Sequence, residues 1–162
     1  FDPALNAVVG GGQSRRDGLD VSVNAKLTPA VTASTDFTVL HGFYTNFVNP
    51  DDNVDYTGTP IFNTSKYVGS ASLDVAPPHG RWFAQIGVNA QGAYTPFEEP
   101  GILRPAYALV SAVAGVKLQS TLDFSVSVRN LLDTTYRELE SGGQATPGQT
   151  RTMYVALRYR AR

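Results

Sequence analysis

Hydrophobic and polar residues alternate with a period of two along almost the whole chain. Within residues 19–27, every odd position is apolar and every even position is polar. Successive side chains of a β-strand point to opposite faces of a sheet, whereas the apolar positions of an amphipathic helix recur about every 3.6 residues. Helical spacing is nearly absent from this sequence. The pattern therefore predicts an all-β fold of about seven to eight long strands.

The connections between the alternating runs follow a pattern of their own. Turns of about three to five residues alternate along the chain with loops of roughly ten to twenty residues. A short turn can join two neighbouring strands only in antiparallel orientation, so the runs predict an antiparallel meander. The first predicted strand covers residues 19–27, with an earlier start near Asn6 as the alternative, and the second covers residues 31–39, with an extension to about Phe47 as the alternative. The later predicted strands cover residues 66–75, 82–94, 108–118, 122–129 and 153–161.

Each predicted strand has one apolar face, and the charged residues of the strands fall on the other. This arrangement suits a soluble barrel that buries the apolar face, such as a lipocalin-like ligand carrier, and equally a membrane barrel that turns that face to lipid. The charged positions are Asp20, Lys26, Asp36, Lys66, Asp74, Lys117, Asp123, Arg129, Arg158 and Arg160.

Three features favour the membrane barrel. Outer-membrane barrels have short periplasmic turns and longer extracellular loops, and the connections here are sorted in that way. The runs are long enough for tilted strands to cross a bilayer. Aromatic residues lie toward the strand ends, as an interfacial girdle requires. These aromatic residues are Tyr67, Trp82, Tyr94, Tyr107 and Tyr159.

The strand count carries a further expectation. If the short turns are periplasmic, the chain starts on the extracellular side at Phe1 and ends in the periplasm at Arg162. A complete bacterial barrel has an even number of strands. Either another strand lies in residues 1–13, which would allow a complete eight-stranded outer-membrane protein, or the chain is part of a larger barrel.

Composition narrows the function further. The 162 residues suffice for one domain, and the net charge of -1 without a basic run argues against nucleic-acid binding. The absence of cysteine excludes disulfides, cysteine-bearing zinc sites and thiol nucleophiles. No apolar run is long enough for a transmembrane helix. The chain does not begin with methionine, so its N-terminus is expected to arise by processing or from a longer protein.

The C-terminal region carries the most specific motif. Asn130-Leu131-Leu132-Asp133, then Tyr136-Arg137, then Pro147-Gly148-Gln149-Thr150-Arg151 and an alternating last strand resemble the C-terminal signature of TonB-dependent outer-membrane receptors. Residues 14–20, 58–60 and 105–107 resemble upstream segments of that family in the same order, so the resemblance covers essentially the whole chain. It gives a structural role to Asn130, Leu131, Leu132, Asp133, Tyr136, Pro147, Gly148 and Arg151.

The resemblance implies a barrel of about 22 strands, plugged by an N-terminal domain. Residues 1–162 would then form a C-terminal segment of the barrel, with the plug domain and the TonB-contacting segment absent from this sequence. The implied function is uptake of a scarce nutrient, such as a ferric siderophore, across the bacterial outer membrane. The implied partners are outer-membrane lipid, the remainder of the barrel, the plug, the TonB complex and a siderophore-like ligand. The family usually ends in an aromatic residue, whereas this chain ends Tyr159-Arg160-Ala161-Arg162.

The sequence offers no convincing catalytic or metal-binding set, and we expect neither an enzyme nor a cofactor. His41 and His79 fall at opposite ends of strands and cannot share a metal. Asp51, Asp52 and Asp55 could offer oxygen ligands to calcium, although they lack the glycine and glutamate of a known calcium loop. A solvated acidic loop is the simpler interpretation. The adjacent glutamates at 98–99 are interpreted as charges at the rim rather than as an acid/base pair. The glycines at 10–12 are interpreted as a flexible part of a strand rather than as a phosphate-binding loop.

Aromatic residues on the long-loop side are the best candidates for ligand contact. Aromatic-rich concave surfaces commonly bind small molecules, although simple packing at the rim explains the same residues. The candidates are Tyr44, Phe47, Tyr56 and Phe97.

Overall fold

The computed structural model describes residues 12–50, 53–96, 101–141 and 144–160. No helix in these residues is long and apolar enough to span a membrane. The described strands are β1 (Gly12–Thr28), β2 (Val31–Phe47), β3 (Tyr67–Val75), β4 (Trp82–Gln91), β5 (Tyr107–Gln119), β6 (Leu122–Arg129), β7 (Arg137–Ser141), β8 (Gln144–Pro147) and β9 (Thr152–Tyr159).

Seven of the strands form one antiparallel sheet in the order β1-β2-β3-β4-β5-β6-β9. This confirms the predicted all-β antiparallel meander. Strands β7 and β8 form a separate hairpin inserted between β6 and β9. Within the described residues β1 and β9 do not pair, so the sheet is open at both edges. The alternative of a further strand in residues 1–13 lies outside the described residues, except for Gly12 and Gln13, which belong to β1.

The structure differs from the predicted strands by more than two residues at β1, at β4 and in the segment before the last strand. Strand β1 already pairs with β2 at Gly12, well before the clear alternation begins at Leu19. Strand β4 ends at Gln91 rather than at Tyr94, because the carbonyl of Gly92 accepts the Ser65 hydroxyl at 2.9 Å and the chain then leaves the ladder. The segment predicted as one long loop before the last strand contains the β7–β8 hairpin.

The register aligns the apolar residues into continuous rows across the sheet. Because paired residues of antiparallel strands lie on the same face, each row extends from strand to strand. One row joins Ala33, Leu73, Ile86, Ala112, Val128 and Met153, and the next joins Val31, Val75, Ala84, Ala114, Val126 and Val155.

The apolar face is largely exposed in the isolated chain. Ile86 is 49% exposed near the middle of the sheet, and Leu157 is 66% exposed on β9. Among the described residues the buried apolar side chains lie instead in the connections, at Ile61 and Phe62 in the long β2–β3 loop and at Pro96 after β4. A water-soluble sheet would cover such an apolar face, so the sheet needs lipid or further protein against it.

The opposite face is polar and joined by hydrogen bonds between strands. The Ser22 hydroxyl donates to Asp36 at 2.6 Å, and the Thr38 hydroxyl donates to Asp20 at 2.6 Å. The Gln85 amide donates to Asp74 at 2.6 Å. These contacts pair each carboxylate with a neighbouring donor, which is the arrangement expected on a hydrated wall.

Candidate functional site

All the long connections lie at one end of the sheet and all the short turns at the other. The short turns follow β1, β3 and β5, whereas the long connections follow β2, β4 and β6. His41 lies toward the long-loop end of β2, and His79 lies in the turn between β3 and β4. The two histidines are therefore at opposite ends of the sheet, and the predicted aromatic residues that the structure describes lie at the long-loop end.

A bulge near the end of β2 brings two of the candidate aromatic residues onto the same face. On β1 one residue, Gln13, separates Gly12 from Ser14. Two residues separate their partners on β2, which are Phe47 and Tyr44. The extra residue on β2 shifts the alternation. The rings of Tyr44 and Phe47 consequently approach to 4.6 Å between centroids, on the polar face.

The β2–β3 loop completes an aromatic cluster over these two rings. Tyr56 stacks at 6.0 Å from Phe47, and Phe62 lies 5.0 Å from Tyr56 and 5.8 Å from Tyr44. The cluster of Tyr44, Phe47, Tyr56 and Phe62 is called the aromatic cluster below. Gly42 makes room for the neighbouring Ile61 of the same loop, because a Cβ there would lie 2.9 Å from Ile61 Cδ1.

The structure therefore brings three of the four predicted aromatic residues together and adds Phe62. Phe97 lies outside the described residues. Sequence analysis missed Phe62, although an Ile-Phe pair within an otherwise polar loop was an available signal. Three members of the cluster are half-buried and Phe62 is 8% exposed, so the rings also act as the small core of the loop.

The acidic part of the same loop is only partly described. Asp51 and Asp52 lie outside the described residues. Asp55 accepts the Thr57 N–H at 2.9 Å, and the hydroxyl and the N–H of Thr57 together lower the pKa of the Asp55 carboxyl. Among the described residues no three histidine or acidic side chains form a group that could hold a metal ion.

Asn130 is the best-connected residue of the C-terminal motif. It is 5% exposed and has a positive φ of 49°, a conformation that asparagine tolerates better than most residues. Its side-chain N–H groups donate to the carbonyls of Thr134 and Gln149, each at 2.9 Å. Its side-chain oxygen accepts the Thr134 N–H at 2.8 Å. Asn130 thus joins the end of β6 to the approach to β9.

Three further motif residues surround this junction. Asp133 accepts the Arg151 N–H at 2.8 Å, and the Arg151 guanidinium donates to the Leu131 carbonyl at 3.5 Å. Leu131 in turn donates its N–H to the Val110 carbonyl at 2.8 Å. Leu132, by contrast, is 69% exposed, and no contact of its side chain explains its place in the motif.

Tyr136 and Gly148 face each other across the base of the β7–β8 hairpin. Gly148 donates its N–H to the Tyr136 carbonyl at 2.8 Å, and a Cβ on Gly148 would overlap the Tyr136 ring. Pro147 ends β8 opposite Arg137. The Tyr136 ring also lies 4.9 Å from the ring of Tyr107 at the start of β5. The hairpin base is therefore packed against the main sheet.

A cavity of about 310 Å³ opens beside this hairpin base. It lies between the β4–β5 connection and the segment that leads into β7, and it is called the hairpin-base cavity below. Sequence analysis named some of its lining residues for other reasons but did not predict the cavity, because these residues come from three separated segments. They include Tyr94, Arg104, Tyr107, Thr135, Tyr136 and Arg137.

Comparisons with known proteins agree with the architecture. The chain aligns with the siderophore receptor PiuA from Acinetobacter baumannii at 19% identity and a TM-score of 0.80, over 91% of this chain and 22% of that one. The ferric yersiniabactin uptake receptor FyuA from Yersinia pestis aligns at 18% identity and a TM-score of 0.75, over 92% and 24%. The ferric-catecholate import receptor Fiu from E. coli aligns at 21% identity and a TM-score of 0.73, over 91% and 21%.

These similarities concern the fold, and the chain spans less than a quarter of the length of each of these receptors. No curated protein sequence matches the chain. A family model described as TonB dependent receptor-like, beta-barrel matches residues 2–131, which is most of the sequence. The chain belongs to the β-barrel family of TonB-dependent receptors.

Proposed function

We propose that this chain forms part of the wall and of the extracellular loops of an outer-membrane receptor that imports a scarce nutrient, such as a ferric siderophore. The observation that carries the proposal is the two-faced open sheet. Its apolar rows are exposed and its opposite face is polar and hydrogen-bonded. Lipid can cover the first face while the second lines a hydrated lumen.

The proposed orientation follows from the sorted connections. The short turns are periplasmic, and the long loops, the aromatic cluster and the hairpin-base cavity are extracellular. Trp82 and Tyr159 mark the periplasmic interface, because both are at the short-turn end and 50% and 71% exposed. Tyr67 begins β3 at the opposite end and pairs with Val39 on the apolar face, where it would mark the outer interface. Tyr107 begins β5 at the same end but pairs with Gln91 on the polar face, so it would face the lumen rather than lipid.

We further propose that residues 1–162 are a C-terminal segment of a larger barrel. The open edges of β1 and β9 support this, because unpaired backbone groups at a sheet edge are costly in lipid. The remaining strands, a plug domain and the segment that contacts the TonB complex would come from other parts of the protein. Transport would need no catalytic residue of this chain.

Ligand contact at the extracellular end is the finer part of the proposal. Tyr44, Phe47 and Tyr56 present half-buried rings on the polar side. Phe97 remains a fourth candidate in the neighbouring β4–β5 connection. A ligand held there would be bound through aromatic surface while the loop keeps its fold through Phe62.

Uptake by whole cells tests the proposal. A strain that lacks the gene and a complemented strain are compared for growth under iron limitation on a panel of ferric siderophores, and for uptake of cobalamin. We expect loss of uptake for at least one nutrient, restoration by complementation, and inhibition when the inner membrane is de-energised. Unchanged uptake of the whole panel in the deletion strain would count against the proposed function.

A further inference from the structure

A buried polar contact joins the β2–β3 loop to the end of β4. Ser65 lies just before β3 and is 9% exposed, and its hydroxyl donates to the Gly92 carbonyl at 2.9 Å. The same hydroxyl oxygen accepts an N–H of the Gln91 side-chain amide at 3.1 Å. The Ser65 hydroxyl therefore ties the loop to β4 both as a donor and as an acceptor.

The side-chain amide of Gln91 extends this contact to β5. Gln91 pairs with Tyr107 across the β4–β5 ladder, and its side-chain oxygen accepts the Tyr107 hydroxyl at 2.8 Å. One planar amide thus bonds Ser65 through its nitrogen and Tyr107 through its oxygen. We call Ser65, Gln91 and Tyr107 the rim relay. Because both polar atoms belong to one rigid plane, a displacement of either partner disturbs the bond to the other.

Both ends of the rim relay lead into long connections. At one end, the Tyr107 ring lies 4.9 Å from the Tyr136 ring at the base of the β7–β8 hairpin. At the other end, the Asn63 N–H donates to the Thr95 carbonyl at 2.9 Å, which ties the loop segment after Phe62 to the β4–β5 connection. The connections that follow β2, β4 and β6 are therefore linked by contacts at the ends of β3, β4 and β5.

We propose that the rim relay couples the three long connections, so that they open and close as one unit. Coupling between two sites is reciprocal. A disturbance of the hairpin base therefore loosens the loop that carries the aromatic cluster, and the converse also holds. The inference deepens the proposed function and rests on it for the role of a ligand, whose contact with the aromatic cluster would be felt at the hairpin base. Ser65 and Gln91 are positioning residues, since they act through the segments that they hold.

Hydrogen exchange of the complete purified receptor, measured by mass spectrometry, tests the coupling. Ser65→Ala and Tyr107→Phe each remove one hydroxyl, at opposite ends of the rim relay, and the double variant completes a mutant cycle. The matched control is Ser34→Ala, which removes an exposed hydroxyl of β2 that accepts the Asn24 amide at 2.8 Å. Heat-dependent mobility of the barrel in detergent gels checks that each variant is folded.

Each relay variant should lower protection at the far end of the relay by at least about fivefold, the effect of one hydrogen bond. For Ser65→Ala the far end is residues 131–137, and for Tyr107→Phe it is residues 61–66. In each segment the double variant should lose no more than about the larger single loss, because either change already breaks the chain of contacts. Ser34→Ala should alter neither segment. Losses confined to the mutated end, or losses that multiply in the double variant, would overturn the inference.

The variant Gln91→Glu separates the relay from a general loss of packing. Its carboxylate can accept the Tyr107 hydroxyl but cannot donate to Ser65, whereas the protonated carboxyl group can do both. Protection of residues 61–66 and 131–137, relative to the wild type at the same pH, should therefore be lowered at about pH 8 and recover at about pH 3.5, below the ordinary glutamate pKa. A deficit of the same size at both pH values would contradict the relay.

Uptake is measured separately in strains that carry the same variants and the wild type. A receptor that imports a nutrient while its connections exchange independently would refute this inference alone. Coupled connections in a receptor that imports no nutrient would refute only the proposed function.

Discussion

Replacement of Asn130 should open the junction between β6 and β9 locally. Its side chain makes three hydrogen bonds, to the carbonyls of Thr134 and Gln149 and from the Thr134 N–H, at 2.8–2.9 Å. At about 1 kcal/mol each, they contribute about 3 kcal/mol. Asn130→Gly removes these bonds but tolerates the positive φ of 49°. Asn130→Ala adds the strain of a Cβ in that conformation, about 1 kcal/mol more.

Hydrogen exchange measured by mass spectrometry on the complete receptor is the suitable assay, because it reports local opening. A loss of about 3 kcal/mol corresponds to about a hundredfold lower protection of peptides that cover residues 131–136 and 149–154 in Asn130→Gly. Asn130→Ala should lose about another fivefold. The matched control is Asn24→Ala, which removes one exposed side-chain hydrogen bond of 2.8 Å to Ser34 and should change protection by less than about threefold.

The reasoning fails if Asn130→Gly and Asn130→Ala alter protection of these two segments no more than Asn24→Ala does. Equal effects of the glycine and alanine variants would retain the hydrogen-bond argument but contradict the argument from backbone conformation.

Three further predictions concern the lipid face, the hairpin base and the acidic loop. Ile86→Arg should destabilise the barrel in vesicles by about 2–4 kcal/mol, whereas Gln85→Arg on the polar face should be nearly neutral. Equal unfolding midpoints would contradict the assignment of faces. Gly148→Ala should displace the Tyr136 ring packed against it and lower the hydrogen-exchange protection of the hairpin base around Tyr136. Gly87→Ala, where the nearest atom to a Cβ is 3.5 Å away, should leave that protection unchanged. Because the pKa of Asp55 is lowered in the folded loop, its carboxylate should protect the β2–β3 loop from hydrogen exchange fully above the unfolded-state pKa. This protection should be lost as pH falls through the folded-state pKa. Asp55→Asn should abolish that pH dependence.

The sheet was predictable where local pattern and turn chemistry agreed. Strand β6 has the predicted limits, because its alternation is strict and begins after a polar turn. Strand β2 extends to Phe47, the longer of its two predicted limits, although its alternation is regular only as far as Val39. The first part of β1 was not recognised as clearly, since Arg15 and Asp17 interrupt the apolar positions. The two form a 2.9 Å ion pair on the continuation of the apolar face, beyond its last apolar row.

The site was less predictable, because it depends on contacts between distant segments. The aromatic cluster needs a bulge in β2 and the return of Phe62, and neither follows from a period of two. The β7–β8 hairpin has a polar sequence without alternation, and its base is held by the tertiary contacts of Tyr136 and Gly148. The motif residues could be named from their resemblance to a family. The hydrogen bond from the Asn130 side chain to the Gln149 carbonyl, by contrast, joins residues 19 positions apart and is visible only in the structure.

The central claim is that this sheet crosses the outer membrane with its long loops outside. Single cysteines provide the most direct measurement, because the 162 residues contain none. Val54→Cys places a thiol in the long β2–β3 loop, where the native side chain is 44% exposed. His79→Cys places one in the short turn between β3 and β4. In intact cells a membrane-impermeant maleimide should label Val54→Cys, and it should label His79→Cys only after the outer membrane is disrupted. Equal labelling of both sites in intact cells, or labelling of His79→Cys alone, would contradict the account.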